Sequence, residues 1–334
     1  MRGCILYKKS ANDLPSEAFE IHRLQEEAKL LGIDLSVHAP EQFDLVVTRD
    51  DRKSVRIQGE VRPLPDFMLP RMGSGTTYFA LAVMRHLERL GVQPLNSSHA
   101  IEIVKDKLWS IQVLAESHLP IAKTILVKQP FDVELAAKYL GYPLVVKALS
   151  GSHGRGVFLC EDAQRLDDIM GLVGSTGNTN LILQEYIESS RGRDLRVITV
   201  GGRAIGAMLR RSTDGSFKAN ISRGGVGEPY PLTPEIEWLA TEAARVVGLD
   251  IAGIDLLFDG DHFRICEANS APGFEGFEPA TGINVARQIL EFAAVRLGRI
   301  DALAGRGPES DATETSTPPA SSGSSGSADS PPSS

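Results

Sequence analysis

One stretch restricts what this chain can fold into more than any other: Gly253-Ile-Asp-Leu-Leu-Phe-Asp-Gly-Asp-His-Phe-Arg-Ile-Cys-Glu-Ala-Asn269. Apolar runs flank the turn-forming Asp259-Gly260-Asp261, so the segment is expected to fold as two antiparallel strands. Residues two apart on a strand share a face, which aims Glu267 and Asn269 the same way. Asp255 joins them if the connecting loop has odd length. Two carboxylates and an amide make a set of hard oxygen donors, and Mg²⁺ takes one or two protein carboxylates together with substrate phosphates and water. The segment therefore suits a metal ion carrying a nucleotide. It equally suits a hairpin whose acids face solvent while Cys266 and Ala268 point inward.

A chain of 334 residues is long enough for two or three domains. The expected division is an α/β domain over 1–96, a central lobe over 97–187, a larger lobe over 188–300 and a tail over 304–334. In the first segment, the run Gly3 to Tyr7, the helical spacing of Ile21, Leu24, Ala28 and Leu31 behind an N-cap at Ser16, and strands at Phe43 to Thr48 and Phe67 to Leu69 alternate, and a helix from Thr76 to Leu90 follows. Such alternation predicts a covered parallel sheet. The charged run Arg49 to Arg62 is expected as a loop or edge hairpin. A helix opening at Lys105-Asp-Lys107, strands at Ala122 to Val127, Pro143 to Lys147, Val157 to Leu159 and Leu181 to Tyr186, and a helix from Ala163 to Val173 predict an α+β lobe. Strands at Leu195 to Val200 and Ala204 to Arg211, a helix from Pro234 to Gly248, the acidic hairpin and a helix from Val285 to Leu297 predict the larger one. The tail, made of Ser, Pro, Gly, Thr and Ala with scattered acids, has too little apolar surface to offset chain entropy and is expected to be disordered.

The formal net charge of −8 disfavours contact with phosphate backbones, which excludes nucleic acid as a generic partner. No apolar run reaches membrane-spanning length, and the one at the N-terminus is too short for a signal peptide. Cys4, Cys160 and Cys266 fit neither a disulfide framework nor a zinc spacing, and their odd number points to a reducing, cytoplasmic setting. Each reads as a small buried hydrophobe. Monomeric and homo-oligomeric forms are both compatible with this composition.

Several further residues are candidates for chemistry. Ser150-Gly-Ser-His-Gly-Arg-Gly156 lies between two strand-like runs, and its glycines let backbone N–H groups approach an anion closely. It lacks the Gly-Lys-Ser/Thr ending of a P-loop and the strand-to-helix setting of a dinucleotide fingerprint. A flexible surface hairpin is the other reading, although Lys147 precedes it at the end of an apolar strand. Lys107, taken alone, reads as a solvated helix residue. Gln184-Glu185-Tyr186-Ile187 ends a strand expected to join the two lobes, where a hinge backbone offers one donor and one acceptor to an adenine edge. Asp194 suits either a ribose hydroxyl or a simple ion pair with its flanking arginines. Arg210-Arg211 places guanidiniums, which capture phosphate or carboxylate in bidentate fashion, at a strand end, or else forms a basic surface patch. Ala271-Pro-Gly-Phe-Glu-Gly-Phe-Glu278 reads as an active-site loop, with Phe274 and Phe277 as core anchors in the alternative.

Taken in order, these parts resemble the ATP-grasp fold, and within it the RimK-like glutamate ligases, over roughly residues 66–298. The resemblance implies three α/β domains with ATP held between the central and C-terminal lobes. It implies that Lys107 and Lys147 contact phosphates, as does the hairpin through Ser152, Gly154 and Gly156. Glu185, Tyr186 and Ile187 would form the adenine hinge, Asp194 would contact the nucleotide, and so would Lys218, Ala219 and Asn220. Asp255, Glu267 and Asn269 would bind Mg²⁺ or Mn²⁺, two ions in all. Arg211 is assigned to stabilising the phosphate. Gly192-Arg-Asp194, Val200-Gly-Gly-Arg203 and Ser212-Thr-Asp-Gly215 also resemble synthases that join glutamate to N-acetylaspartate or citrate, whereas the 271–278 segment is similar to the bacterial branch.

The implied chemistry is carboxylate activation: ATP phosphorylates an acceptor carboxylate on a protein C-terminus, a peptide or a small acid, and the amine of L-glutamate displaces phosphate to form an amide. Two alternatives stay open, a ligase of the same fold using another amino acid in amino-acid or cofactor biosynthesis, and a nucleotide-binding regulator without turnover. The intact metal trio and Arg211 argue against the regulator.

Overall fold

The structure, a computed structural model, describes residues 1–49, 54–128, 131–149, 156–176, 180–219 and 224–300. Ser152, His153, Gly154, Arg155 and Asn220, and the segment expected as a tail, lie outside the described residues. The chain begins with β1 (Arg2–Leu6), α1 (Phe19–Leu30), β2 (Asp34–His38), β3 (Phe43–Asp44), β4 (Ser54–Ile57), β5 (Glu60–Pro63), β6 (Phe67–Pro70), α2 (Tyr78–Arg89) and β7 (Gln93–Pro94). Strands β2-β1-β6-β7 form one sheet, parallel at each pairing. β1 and β6 are apolar throughout their interiors because both faces are covered: Ile5 and Leu69 pack with Ile21 and Leu24 of α1, while Leu6 and Met68 pack with Leu81 and Met84 of α2.

The charged run does form an edge hairpin, in which Gln58 and Gly59 take positive φ of 53° and 79° between β4 and β5. Helix α1 starts at Phe19 behind Ala18, with no side-chain cap, so Ser16 is not its N-cap. Strand β2 was not picked out beforehand: it is five residues long, with only Leu35 and Val37 as its apolar alternation and Val37 alone buried.

Helices α3 (Ser98–Lys105) and α4 (Lys107–Glu116) follow, parted at Asp106, whose carboxylate accepts the N–H groups of Leu108 and Trp109 at 2.9 and 3.1 Å. That cap fixes Lys107 as the first residue of α4. The next elements are β8 (Thr124–Leu126), α5 (Val133–Leu140), β9 (Leu144–Ala148), β10 (Val157–Cys160), α6 (Ala163–Thr176) and β11 (Leu181–Glu185). Their antiparallel sheet has the order β10-β9-β11-β8. Leu144, Val146 and Leu183 turn to the helices, and the alternate residues Val145, Lys147, Ile182 and Gln184 take the opposite face.

The chain then enters β12 (Arg193–Val200), β13 (Arg203–Arg211), β14 (Val226–Tyr230), α7 (Pro234–Val246), β15 (Ile251–Asp259), β16 (His262–Asn269), α8 (Phe277–Thr281) and α9 (Val285–Arg296). The five strands order as β14-β13-β12-β15-β16, antiparallel throughout. Helix α7 covers one face, where Leu195, Val197, Leu209 and Ile254 meet Ile236 and Leu239. On the other face Ile198, Val200, Met208 and Ile251 pack against α9 and α1, with Phe274 and Phe277 wholly buried among them. Those two phenylalanines are core anchors. Among the described residues no helix is long and apolar enough to cross a membrane.

Asn96, with no exposed surface, ties the parallel sheet to this second core. Its Nδ2 donates to the carbonyls of Ile251 and Ser270, both at 2.8 Å, and its Oδ1 accepts the N–H of Ile251 at 2.8 Å. The start of β15 and the residue just after β16 are thereby held by one side chain. Asn96→Ala would leave three buried backbone groups unpaired, at about 1–3 kcal/mol for each group left unsatisfied. The expected loss is about 3 kcal/mol or more in urea unfolding, and a change below about 1 kcal/mol would mean that water replaces the amide.

Candidate active site

The site begins with strand register. Residues directly opposite in an antiparallel pair share a face, so Asp194 opposite Arg210, and Arg196 opposite Asp255, all project from the side away from α7. Gly260 and Asp261 form a two-residue turn between Asp259 and His262, and in an unbroken ladder that even loop would set Asp255 opposite Cys266. A bulge at Cys266 corrects this. It shifts the register so that Asp255 lies opposite Glu267 and Gly253 opposite Asn269, while the N–H of Ile265 leaves the hairpin to reach Pro120 O at 2.8 Å. The odd residue that brings the three oxygen-bearing side chains onto one face is in the strand and not in the loop.

Behind them lies a buried charge network. Arg196 grips Asp255 side-on, Nε to Oδ1 at 2.5 Å and Nη2 to Oδ2 at 2.8 Å. Arg210 grips Asp194 in the same manner, at 2.6 and 2.9 Å, and its Nη2 also lies 3.0 Å from Asp255 Oδ2. Burial pushes the Asp194 carboxyl above the usual carboxylate range against the pull of Arg210. Burial acts the same way on Asp255, but Arg196 and Arg210 together outweigh it and hold that carboxyl below the range. Burial opposes the charge of Arg210, and the two aspartates more than restore it.

Two lysines from other elements reach the same place. Lys107 Nζ, on the first turn of α4, donates to Glu267 Oε1 at 3.2 Å, and Lys147 Nζ crosses from β9 to within 3.6 Å of Cys266 Sγ. Cys266 is therefore part of the cleft rather than a plain core residue, and burial pushes its thiol up. Asn269 donates Nδ2 to Gly253 O at 3.1 Å, which leaves its Oδ1 without a donor among the described residues. Gly253 has to be glycine here: a Cβ would lie 2.7 Å from Pro272 Cβ and 3.2 Å from Arg196 Cδ.

The donor set suits a hard divalent cation. A carboxylate offers about four lone-pair sites, and the three guanidinium contacts to Asp255 leave one on Oδ1. The ladder sets Glu267 opposite Asp255, with Asn269 two residues on along the same face. Among the described residues no three His, Cys, Asp or Glu side chains converge, so two acids and an amide are the whole set.

Between the lobes, Glu185 ends β11 with its carboxylate held by Arg264 Nη1 and by the N–H of Lys123 at 2.8 Å. Its own N–H goes to Lys123 O at 3.0 Å, whereas the N–H of Ile187 meets no acceptor among the described residues. The ring of Tyr186 stands edge-on to Phe217 at 6.4 Å, and Lys218 Nζ lies 5.3 Å from the centre of that Phe217 ring. Ala219 is buried, and Gly156, at a φ of 70°, accepts the N–H of Ala148 at 2.9 Å. Arg211 is not brought to the cluster. It pairs across the sheet with Arg193, on the α7 side, and its exposed Nε lies 3.7 Å from Glu228. Arg196 and Cys266 are cluster residues the sequence reading did not assign, and of the pair Arg210-Arg211 it chose Arg211. The period-two signal was present for Arg210, because Ala207 and Leu209 mark the core face and leave Arg210 on the other.

Arg210→Met should destabilise the fold by about 3–5 kcal/mol at neutral pH, since it strands two buried carboxylates. Asp255 is held below its unfolded value, so its contribution is complete above the ordinary aspartate range and is lost as pH falls through the lower folded value. Asp194, being raised, contributes with the opposite sign. Without Arg210 both carboxyls protonate more readily, and the cost of the substitution should shrink as pH is lowered from about 7 to about 4. Urea unfolding of both proteins across that range checks this; a cost that does not vary with pH would assign Arg210 to packing alone.

Comparison with known proteins gives the family of the fold that carries this site. A RimK PreATP-grasp domain matches residues 12–101 and a RimK-like ATP-grasp domain matches residues 104–293, more than half of the chain. The chain is 35% identical over 282 residues to a probable alpha-L-glutamate ligase of Thioalkalivibrio sulfidiphilus (strain HL-EbGR7), covering 83% of this chain and 92% of that one. It is 37% identical over 273 residues to a probable alpha-L-glutamate ligase of Legionella pneumophila (strain Corby), covering 81% and 89%. Among solved structures, the ATP-grasp ligase PsnB complexed with minimal precursor, Mg and ADP shares the fold with a TM-score of 0.68 at 16% identity, over 89% of this chain and 98% of that one. The protein belongs to the RimK-like ATP-grasp family and is an ATP-dependent ligase that forms carbon–nitrogen bonds.

Proposed function

We propose that the enzyme adds L-glutamate to the carboxylate of a protein C-terminus, a peptide or a small acid. The observation that carries the reading is convergence: Lys107 from α4, Lys147 from β9, and Asp255, Glu267 and Asn269 from one hairpin surround a single cleft between two sheets. The relatives named as glutamate ligases support the choice of amine.

Phosphoryl transfer asks mainly for position and charge neutralisation. In this reading ATP lies between the sheets, with its adenine edge at the free N–H of Ile187 and its phosphates beneath Lys147 and Lys107. Lys107 is at present paired with Glu267, so it can exchange that partner for a phosphate oxygen as Glu267 turns to a cation. Glu267, Asn269 and the remaining lone pair of Asp255 would hold Mg²⁺ or Mn²⁺, which when bound draws charge from the phosphates. An acceptor carboxylate oxygen attacks the γ-phosphorus and ADP leaves; the amine then attacks the acyl carbon and inorganic phosphate leaves. Asp194 acts through Arg210 rather than on the nucleotide. Gly156, Lys218 and Ala219 border the nucleotide on the sheet side, and Arg211 belongs to the rim. Cysteines that are all free accord with a cytoplasmic setting.

Incubation with ATP, Mg²⁺, each amino acid in turn and acceptor peptides bearing a free C-terminus, followed by mass spectrometry, tests the substrate assignment. A gain of one or more glutamyl units is expected, and addition of a different amino acid alone would overturn it. Glu267→Gln should lower kcat by about 100-fold or more with unfolding unchanged, whereas Arg211→Ala should lower it by less than about tenfold. Equal losses for the two would return Arg211 to the reacting phosphate.

A further inference from the structure

Arg71 is a half-buried arginine for which the described residues supply no counter-ion. Arg196 and Arg210 sit in side-on carboxylate pairs and Arg23 contacts three glutamates, but among the described residues no carboxylate lies within ion-pair distance of Arg71. Its Nη2 donates to Pro272 O at 2.6 Å, its guanidinium lies 5.5 Å from the centre of the Phe274 ring, and its Nε is enclosed with no acceptor. Burial pushes its pKa down, with only the more distant Glu20 and Tyr7 opposing. A cation held without a counter-ion is costly, and here Nη2 is given to Pro272 and Nε is enclosed, which leaves Nη1 as the nitrogen open to an anion.

Its place in the fold is next to the reaction. Arg71 directly follows β6, and its N–H donates to Leu6 O at 2.8 Å, so the side chain springs from the rigid parallel sheet. Pro272, which it contacts, packs on Gly253, and Gly253 is paired with Asn269 and lies against Arg196. One loop thickness therefore separates the guanidinium from the end of the proposed metal trio. A Cβ built at Gly73 would lie 4.0 Å from Ala271 Cβ, so the turn after Arg71 lines the same loop.

We propose that Arg71 receives a substrate carboxylate that does not itself react, namely the α-carboxylate of the incoming amino acid, which docks at Nη1, the nitrogen taken up neither by Pro272 nor by the packing around Nε. This rests on the ligase reading above. The carboxylate that does react has to meet the γ-phosphate between Lys107, Lys147 and Glu267. An α-amino acid, by contrast, carries an unreacted carboxylate beside its nucleophilic nitrogen, and anchoring it at Arg71 presents that nitrogen to the acyl carbon. Arg71 is thus a specificity-determining residue supplied by the parallel sheet.

The test measures ADP release by the wild type, Arg71→Lys and Arg71→Met, with L-glutamate or its α-amide as amine and a peptide with a free C-terminus as acceptor. In Arg71→Met the KM for L-glutamate should rise about thirtyfold, the KM for ATP should stay within about twofold, and the wild-type preference for L-glutamate over the α-amide should vanish. Arg71→Lys should recover part of that preference, and it serves as the readout if the Met variant does not fold. A Met variant that keeps the preference, or a KM rise confined to the acceptor peptide, overturns the proposal. A fall in kcat with both KM values unchanged also overturns it, since a purely structural strap behaves that way. If the wild type releases no ADP with L-glutamate, the glutamate assignment fails by itself; the same comparison is then made with whichever amino acid supports turnover and its α-amide.

Discussion

Two aspartates can lie side by side on a buried sheet face only if fixed counter-charge lies between them, and the cleft is built around how that demand is met. Asp194 and Asp255 are opposed by Arg196 and Arg210 in planar, side-on contacts, and all four side chains sit on strands at positions that the ladder itself places next to one another. The network sums to zero charge. It is therefore a rigid, electrically quiet floor, and the groups left able to change partners are those above it: Glu267, Lys107, Lys147 and the amide of Asn269. A phosphoryl-transfer site needs that division, because donors that are fixed in advance do not have to reorganise when charge moves.

The sequence made the hairpin legible because its apolar runs and central Asp-Gly-Asp leave little choice, and it aimed Glu267 and Asn269 together through strand parity alone. The place of Asp255 was not legible. The condition set for it was an odd loop, the loop proved even, and the missing residue is supplied by the bulge at Cys266, which depends on a tertiary partner, Pro120, over 140 residues away. Arg210 and Arg211 show the opposite case. Period two separates them cleanly once Ala207 and Leu209 are seen to face α7, yet reading the pair as one unit assigned the wrong neighbour to the cluster. Strands β2 and β14 escaped notice because one buried residue, or none, marks each. Asn96 escaped because a buried amide looks like any other asparagine until its backbone partners are known.

The same logic explains why the central sheet presents so little besides Lys147. Its cleft-facing positions, Val145, Ile182 and Val157, are apolar, and Gln184 is spent on Thr124 Oγ1 at 2.9 Å. A flat apolar shelf with one cation at its end is suited to a purine above and a phosphate beyond. Glu185, at the crossing between lobes, is immobilised by Arg264 and Lys123 instead of being free for a ligand, so recognition at the hinge falls to main-chain groups.

The parallel sheet is the third wall, and its attachment is uneven. It meets the five-stranded sheet through an apolar core shared by α1 and α9, which fixes orientation broadly, and through polar side chains, among them Glu20, Asn96 and Arg71, that fix one loop closely. Asn96 holds the loop where it leaves β16 at Ser270, and Arg71 holds it two residues on at Pro272. Both bonds end on carbonyls, so neither depends on the side chains of the loop, and Asn269 at its head inherits a position set by a domain that touches no phosphate. An enzyme arranged in this way can alter which amine it accepts by changing the wall around Arg71 while the nucleotide floor stays as it is. Separating specificity from activation matters physically, because the acyl phosphate is formed with the same geometry whatever amine follows, and only the last step has to distinguish one amino acid from another.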